Sequence, residues 1–334
     1  MTRLMRAVVV DAPGAPEVLQ VRSVPVPTAT VGGVLIRVMA FGLNRSELHF
    51  RQGVASSGSF PRIPGIEAVG VVEAAPGGEF TAGTQVATMM GGMGRTFDGG
   101  YAEFVKVPAA QVIPFRSSLP WTTLGAVPEM LQTAVGSLDV GLRATPGQTL
   151  LIRGGTSAVG MAAAVLAKRR GMTVLSTTRN PAKVEALHRL GVDHVLIDGG
   201  TIADQVHALI PEGVDGAVEL VGVNVLKDTL RATRSGGTVC FTGMLSDQWT
   251  IHEFYPMDWL PNGVRLTAYS GEASDLRPET LQEFLDAVAE GTAVVPVGRV
   301  YRLDEIVQAH HDMEQNLVGG RGVVVLANTE SETP

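Results

Sequence analysis

The residues best suited to chemistry form a glycine-rich segment whose spacing is typical of phosphate binding. From Leu150 to Gly160 the chain reads Leu-Leu-Ile-Arg-Gly-Gly-Thr-Ser-Ala-Val-Gly, an apolar strand followed by small residues and a helix start. Small residues let a backbone approach a pyrophosphate, and a helix N-terminus offers unpaired N–H groups and partial positive charge. In the Gly-x-Gly-x-x-Gly pattern Ser157 takes the middle position, and a plain glycine-rich turn remains the alternative. The predicted dinucleotide contacts are Gly155, Thr156, Ser157, Ala158 and Val159.

The end of the next strand indicates which dinucleotide is bound. About 18 residues after Gly160, where an acidic residue would bind the ribose 2′-hydroxyl of NAD, the chain reads Ser-Thr-Thr-Arg-Asn-Pro-Ala-Lys over 176–183, without a carboxylate. The hydroxyls of Thr177 and Thr178 and the cations of Arg179 and Lys183 suit a 2′-phosphate. Each charge-assisted hydrogen bond to such a phosphate contributes roughly 1.5–3 kcal/mol to the free energy of binding. The segment predicts NADPH in preference to NADH, unless both cations are merely solvated residues near a helix start.

The strands and helices that must position this segment alternate regularly along the chain. Between about residues 125 and 270, β-branched apolar runs alternate with helical stretches that end at glycines such as Gly171 and Gly191. Strands that read as continuous apolar runs are typical of a parallel sheet covered on both faces. We therefore expect a doubly wound Rossmann domain of the α/β class here.

The flanking segments differ from this region in composition and in the length of their strand-like runs. Residues 1 to about 120 are rich in Gly, Pro and Val, with short β-like runs such as Val34–Ala40, Ala68–Glu73 and Tyr101–Val107 separated by turns. This pattern indicates an irregular, barrel-like β module. Near the other end, the apolar positions of 278–290 lie on one helical face, and 294–300 and 322–326 resemble strands.

Composition excludes several classes of protein. The chain has 334 residues, with 26 basic and 33 acidic side chains, so its net charge of −7 disfavours nucleic-acid binding. The single cysteine, Cys240, rules out a disulfide framework and a multi-cysteine metal site. No run approaches the ~18 apolar residues of a membrane span. We expect a cytoplasmic protein that is not attached to a membrane.

Four segments together resemble the medium-chain dehydrogenase/reductase superfamily over essentially the whole chain. They are Gly-Leu-Asn-Arg-Ser-Glu-Leu-His over 42–49, Phe-Pro-Arg-Ile-Pro-Gly-Ile-Glu over 60–67, Gly-Gly-Tyr-Ala-Glu over 99–103 and the run from Arg153 to Gly160. The resemblance implies a GroES-like β-rich catalytic domain built from both chain ends, with a Rossmann domain inserted. The predicted boundaries are 1–124 and 268–334 for the catalytic domain and 125–267 for the NADP-binding domain.

The resemblance also predicts that the protein has no catalytic zinc. Zinc-dependent members of the superfamily have a cysteine where this chain has Asn44 and a histidine where it has Ile66, while Glu67 is retained. Catalytic zinc needs about three protein ligands. The chain is therefore more similar to the zinc-independent quinone oxidoreductase branch. Two tyrosines often found in that branch correspond to His49 and Ala55, so the acceptor pocket departs from its pattern.

The resemblance also implies roles for individual residues. Asn44 would lie beside the nicotinamide and orient cofactor or substrate; the alternative is an ordinary turn asparagine. His49 could donate a hydrogen bond or a proton; the alternative is a histidine at the surface or one whose hydrogen bonds are structural. Thr133 matches a position against the nicotinamide, although it could be a simple helix residue. Residues that follow strands at their carboxyl ends line ligand crevices in open α/β sheets. The remaining predicted cofactor contacts are Gly243, Met244, Leu245 and, from the returning segment, Asn316.

These observations predict a zinc-independent oxidoreductase that transfers hydride from NADPH to a quinone or an α,β-unsaturated carbonyl compound. Two alternatives remain: a metal-free NADP-dependent alcohol/carbonyl oxidoreductase, and a catalytically silent NADPH-binding sensor or partner protein. The resemblance further implies a homodimer joined through the edge strand over Val264–Tyr269.

Overall fold

The structure is a computed structural model and describes residues 2–54, 58–248 and 250–326. The chain divides into two units. The first combines Met1–Glu129 with Glu272–Pro334, and the second is Met130–Gly271. The boundaries predicted from the sequence lie a few residues before these divisions.

The N-terminal part of the first unit consists mainly of strands. They are β1 (Leu4–Val9), β2 (Gln20–Pro25), β3 (Gly33–Gly42), β4 (Glu67–Ala74), β5 (Gln85–Met89), β6 (Phe104–Pro108) and β7 (Val112–Pro114). The helices that follow or interrupt them are α1 (Arg45–Arg51) and α2 (Trp121–Leu124). A third helix, α3 (Pro128–Gly136), begins in the first unit, and most of its residues belong to the second. The predicted strand over Tyr101–Val107 begins only at Phe104.

The second unit alternates strands and helices. Its strands are β8 (Thr149–Arg153), β9 (Thr173–Thr178), β10 (His194–Ile197), β11 (Val214–Glu219), β12 (Thr233–Phe241) and β13 (Arg265–Ala268). Its helices are α4 (Ala158–Arg169), α5 (Val184–Arg189), α6 (Ala203–Leu209), α7 (Val223–Arg231) and α8 (Pro256–Trp259).

The six strands of the second unit form one parallel sheet in the order β10-β9-β8-β11-β12-β13. The strand order therefore reverses between β8 and β11. Ligands of open α/β sheets bind beyond the carboxyl ends of the strands at such a reversal. Leu151, Leu175, Ala217 and Val239, one from each of four central strands, are fully buried in the same apolar cluster. The predicted doubly wound sheet is confirmed.

The returning segment completes the first unit with α9 (Pro278–Ala289), β14 (Val297–Arg302), α10 (Ile306–Glu314) and β15 (Arg321–Val325). The larger sheet of this unit runs β14-β15-β3-β4-β5-β7, with β6 also paired to β3, and β1 and β2 form a separate hairpin. In the antiparallel pair of β15 and β3, Val324 lies opposite Phe41. The C-terminal segment thus supplies an interior strand, which confirms the predicted β-rich domain made from both chain ends.

Helix α10 carries a histidine on its buried face. Ile306, Ala309 and Met313 have helical spacing and are buried, but His310 is also fully buried on that face. Its Nε2 lies 3.2 Å from the hydroxyl of Tyr101, whereas its Nδ1 is buried without a hydrogen-bond partner among the described residues. Among the described residues, no helix is long and apolar enough to cross a membrane.

Candidate functional site

The glycine turn of the second unit connects β8 to α4 and presents the start of that helix. Ser157 caps α4: its Oγ accepts a hydrogen bond from the Gly160 N–H at 3.1 Å and donates to the Gly154 carbonyl at 2.8 Å. Gly154 has a φ of +91°, which a side chain would strain. Helix geometry leaves the N–H groups of Ala158 and Val159 without intrahelical acceptors, so they can bind an anion.

Two glycines are required, one because the turn packs directly on β9 and the other because the start of α4 packs on the turn itself. A Cβ at Gly155 would lie 1.7 Å from Oγ of Ser176, and one at Gly160 would lie 2.6 Å from the Gly154 carbonyl oxygen. Thr177 holds the turn in place: its Oγ1 accepts from the Gly154 N–H at 3.0 Å, and its carbonyl accepts from the Gly155 N–H at 3.1 Å. The backbone of the turn is therefore fixed against the adjacent strand.

The predicted phosphate ligands at the end of β9 divide into two groups. Thr177 and Thr178 are buried, and Thr178 Oγ1 accepts from the Asn180 N–H at 3.1 Å and donates to the Asn180 carbonyl at 3.3 Å. Both hydroxyls bond the neighbouring backbone, and their predicted contact with a phosphate stays a prediction. Arg179 and Lys183 are exposed. Of the four side chains, the two cations are the ones that a phosphate can reach.

A buried arginine that the sequence did not single out connects three elements behind the turn. Arg153, the last residue of β8, is fully buried and donates to Asp198 from Nε at 2.9 Å and from Nη2 at 3.0 Å. It also donates to Asp228 on α7 at 2.8 Å. Although burial opposes ionisation, the hydrogen bonds from Arg153 lower the pKa of Asp198. Arg153 therefore lies between two carboxylates and offsets part of the charge of the one that follows β10.

The segment after β12 lies next to the glycine turn. The N–H of Gly243 donates to the Glu219 carbonyl at 3.0 Å, and the N–H of Leu245 donates to the Leu220 carbonyl at 3.1 Å. A Cβ at Gly154 would lie 3.2 Å from Cδ1 of Leu245, so that side chain borders the turn. Gly243 and Met244 are half-buried and Leu245 is exposed, at the carboxyl edge of the sheet.

Thr133, on α3, belongs to the same unit and is half-buried. Its Oγ1 donates to Oε1 of Gln132 at 3.3 Å, and its carbonyl accepts from Ser137 Oγ at 2.7 Å. Ser137 is in turn 3.0 Å from the hydroxyl of Thr242, which follows β12. The structure thus connects Thr133 with the carboxyl end of β12.

The first unit contains a buried polar cluster around Glu67, the first residue of β4. Glu67 Oε1 accepts from Asn44 Nδ2 at 3.0 Å and from Arg321 Nη2, and Oε2 accepts from the Glu129 N–H at 2.9 Å. Arg321 also donates to Glu129 Oε2 at 2.9 Å. A Cβ at Gly42 would lie 2.3 Å from Glu67 Oε1, so glycine is needed there. Glu67 anchors the surrounding loops, and Arg321 neutralises its charge.

Glu47 fixes Asn44 in this cluster. Its carboxylate accepts from the Asn44 N–H at 2.8 Å, from Asn44 Nδ2 at 3.3 Å and from the Ile66 N–H at 2.8 Å. Burial raises the pKa of Glu47 to about 7. Because both carboxylates hold the amide nitrogen of Asn44, its Oδ1 is left buried and without a hydrogen-bond partner in the part of the chain that the structure describes.

The cluster does not fit a catalytic zinc ion. Asn44 has an amide side chain and Ile66 an aliphatic one, so neither can replace the thiolate and the imidazole expected as zinc ligands at these positions. Both oxygens of Glu67 already accept hydrogen bonds, and the guanidinium of Arg321 supplies the positive charge beside it. Across residues 2–54, 58–248 and 250–326, no group of three or more His, Cys, Asp or Glu side chains is arranged to hold a metal.

The other predicted residues of the first unit have distinct positions. His49 is buried on α1, and Asn316, which has a φ of +57°, is exposed and accepts from Arg45 Nη2 at 2.8 Å. Ala55 lies outside the described residues. Arg95 was not predicted: its Nη2 donates to the carbonyl of Ser46 at 2.5 Å, and its guanidinium lies 5.0 Å from the ring centre of Phe50.

Comparison with known proteins gives consistent results for both units. Residues 30–117 match the family described as alcohol dehydrogenase GroES-like domain, and residues 158–290 match the family described as zinc-binding dehydrogenase. The quinone oxidoreductase of Mus musculus is 29% identical over 325 residues, covering 93% of this chain and 94% of that protein.

Solved structures show the same likeness. The crystal structure of AibC has a TM-score of 0.87 and 29% identity, over 98% of this chain and 97% of that chain. The structure of mycobacterial Rv1454c complexed with NADPH has a TM-score of 0.83 and 25% identity, over 96% of this chain and 99% of that chain.

The fold and these matches define the class: the chain belongs to the medium-chain dehydrogenase/reductase superfamily. Within that superfamily it belongs to the quinone oxidoreductase branch, as the resemblance predicted.

Proposed function

We propose that this protein is a zinc-independent reductase that uses NADPH to reduce quinones or α,β-unsaturated carbonyl compounds. The observation that carries the proposal is the pairing of the glycine turn with two exposed cations, Arg179 and Lys183, at the end of the next strand. The NADPH complex of Rv1454c and the names of the quinone oxidoreductase relatives support the choice of cofactor and acceptor.

The residues of the second unit fit this cofactor. The N–H groups of Ala158 and Val159 and the positive end of α4 would bind the pyrophosphate, while Arg179 and Lys183 would bind the 2′-phosphate. Arg153 favours that binding because its positive charge reduces the repulsion that Asp198 would exert on a phosphate. When bound, the nicotinamide would supply a hydride.

The chemistry of the first unit favours an acceptor that is already electrophilic. The Glu67 cluster offers no Lewis acid to polarise an alcohol or a simple carbonyl group. Asn44 can accept a hydrogen bond from a bound ligand through Oδ1, because Glu47 and Glu67 hold its nitrogen. His49 is the candidate donor to the oxygen on which negative charge develops.

We also propose that two copies associate through β13. This strand is last in the sheet order, so one of its edges has no neighbour in the described part of the chain. Tyr255 and Met257, in the preceding segment, have relative exposures of 63% and 79%. Light scattering should give twice the chain mass of 35.1 kDa, and Met257→Lys should weaken the association. A monomer at micromolar concentration would refute the proposal.

The function is tested by following NADPH oxidation with a panel of quinones and enones, using protein whose metal content has been measured. We expect turnover without stoichiometric zinc and no loss after chelation. Inactivity with every quinone and enone would contradict the proposal. Reversible oxidation of alcohols with NADP would favour the carbonyl–alcohol alternative, and tight NADPH binding without any turnover would favour a sensor.

A further inference from the structure

The loop that follows β5 places an arginine beside the first turn of α1. Over 89–95 the chain reads Met-Met-Gly-Gly-Met-Gly-Arg, and the N–H of Arg95 donates to the Gly92 carbonyl at 3.0 Å. A Cβ at Gly94 would lie 2.7 Å from the backbone nitrogen and oxygen of Gly65. The loop therefore packs directly on the backbone of a neighbouring segment, which fixes the point from which the Arg95 side chain extends.

The guanidinium of Arg95 is held by one of its two terminal nitrogens. Nη2 donates to the carbonyl of Ser46 at 2.5 Å and to the hydroxyl of the same residue, and the guanidinium lies 5.0 Å from the ring centre of Phe50. Phe50 in turn stacks on Phe60, with ring centres 4.6 Å apart. Nη1, by contrast, is buried and has no hydrogen-bond partner among the residues that the structure describes. Because Arg95 as a whole is half-buried, this donor belongs to a side chain that borders the surface of the first unit.

The contacts of Arg95 differ from those of the buried arginines. In the described ranges, each buried arginine donates to at least one carboxylate; the pairs are Arg51–Glu314, Arg153–Asp198, Arg153–Asp228, Arg321–Glu67 and Arg321–Glu129. The side-chain hydrogen bonds of Arg95 go to uncharged groups instead. A charge that is removed from water needs an opposite charge beside it, so the surroundings of Arg95 favour the binding of an anion.

Glu47 does not take the place of that anion. Its negative charge favours the ionised form of Arg95, but its carboxylate accepts hydrogen bonds from the N–H groups of Asn44 and Ile66. Burial raises the pKa of Glu47 to about 7, so this carboxylate carries only part of its charge at neutral pH. Burial also lowers the pKa of Arg95, as expected for a cation with too little negative charge around it.

We propose that Arg95 binds a carboxylate group of the acceptor, so that the protein prefers quinones or enones that carry a carboxylate over neutral ones. This inference rests on the proposed function and specifies the substrate class of the same site. Ser46, which anchors Arg95, lies two residues after Asn44 at the start of α1, and Oδ1 of Asn44 remains as an acceptor for the same ligand. Nη1 would donate to the carboxylate, and this charge-assisted hydrogen bond would neutralise the cation.

The test compares 4-oxopent-2-enoate with its methyl ester, because the two enones differ in charge and share the reacting double bond. The kcat/KM for NADPH-dependent reduction of each is measured with the wild type and with Arg95→Met. The wild type should prefer the acid by roughly 10- to 100-fold, the range expected from one charge-assisted hydrogen bond. Arg95→Met should lose this preference, because the acid reacts more slowly while the ester reacts within about threefold of the wild type.

Two further variants separate charge from packing. Arg95→Lys keeps the positive charge and should retain part of the preference for the acid. Arg3→Met is the matched control, since it also removes a guanidinium that lies over a phenylalanine ring of the first unit, 4.4 Å from the ring centre of Phe104. It should leave the preference unchanged.

An inhibition measurement keeps the proposal testable if Arg95→Met does not fold. 4-Oxopentanoate, the saturated form of the acid, should inhibit the reduction of 1,4-naphthoquinone by the wild type competitively with the quinone. Its inhibition constant should be at least about tenfold lower than that of its methyl ester. Arg95→Gln then replaces the methionine variant, because its amide can still donate to Ser46, and it should abolish the difference between the two inhibitors.

Three results would count against these proposals. Equal kcat/KM values for acid and ester in the wild type, with equal inhibition by the two saturated ketones, would overturn the carboxylate site and leave the proposed function intact. A preference that persists in Arg95→Met or Arg95→Gln would show that the carboxylate binds elsewhere, and would also overturn it. Failure of the wild type to oxidise NADPH with any quinone or enone would instead overturn the proposed function, and this inference with it.

Discussion

Arg321 donates a hydrogen bond to Glu67 inside the first unit, although the two residues lie 254 positions apart in the chain. Their side chains are 7% and 0% exposed. Burial raises the pKa of Glu67, and the charge of Arg321 counteracts this effect. The pair joins strands from both chain ends and places a guanidinium on the same carboxylate oxygen that accepts from Asn44.

Removal of Arg321 should strongly destabilise the first unit. Arg321→Met would leave Glu67 buried without its cation, and losing one partner of a buried ion pair costs about 3–5 kcal/mol. Urea denaturation measures the change in the free energy of unfolding. Arg22→Met is the control: the Arg22–Asp11 pair is exposed to solvent, so its loss should change the free energy of unfolding little. Equal effects of the two substitutions would show that the buried pair has no special importance.

Glu219 should make stability depend on pH. It is the last residue of β11, and it accepts from the N–H groups of Val221 at 2.7 Å and Gly222 at 3.0 Å. Burial raises its pKa from 4.5 to about 7, so the folded state binds more protons than the unfolded state between these values. The contribution of Glu219 to stability is therefore present below pH 4.5 and is lost as pH rises through 7.

Glu219→Gln should remove that dependence. Relative to the wild type, the free energy of unfolding of the variant should increase by about 2–3 kcal/mol between pH 5 and pH 8. Denaturant titrations across this range measure the difference. Glu185→Gln, at an exposed position of α5, should track the wild type. If Glu219→Gln and the wild type gave parallel profiles, Glu219 would not titrate in this range.

The contact between Gly155 and Ser176 predicts that a second substitution, at Ser176, restores the NADPH binding lost in a Gly155 variant. Gly155→Ala places a methyl group 1.7 Å from Ser176 Oγ, so the turn must shift and NADPH binding should weaken at least tenfold. In Gly155→Ala/Ser176→Ala the nearest side-chain atom becomes the Cβ of residue 176, 3.1 Å away, and affinity should largely return. Fluorescence titration with NADPH compares the two variants. An identical loss in both would mean that the contact with β9 does not determine the shape of the turn.

Local patterns were sufficient to predict the second unit. The apolar run of β8, the small residues after it and the cap at Ser157 are contiguous, so the sequence alone indicated a strand, a turn and a helix. Thr178 shows the limit of this reasoning. A threonine at a strand end can bind a ligand or bond its own backbone, and the sequence does not indicate the bond that Thr178 makes with the backbone of Asn180.

Contacts between distant residues could not be predicted. Arg321 lies 254 positions from Glu67, and the residues around it in the sequence give no indication of its contacts with Glu67 and Glu129. Arg153, Asp198 and Asp228 are likewise far apart in sequence, and only the strand order brings them together. The roles proposed for Asn44, His49 and Asn316 stay predictions.

The preference for the 2′-phosphate is the central claim, and a paired titration tests it most directly. Wild-type protein, the double variant Arg179→Ala/Lys183→Ala and the control Arg231→Ala, which removes another exposed cation of the second unit, would each be titrated with NADPH and NADH. We predict that the wild type binds NADPH at least about tenfold more tightly than NADH, and that only the double variant loses this preference. Equal affinities in the wild type, or a preference for NADH, would contradict the account.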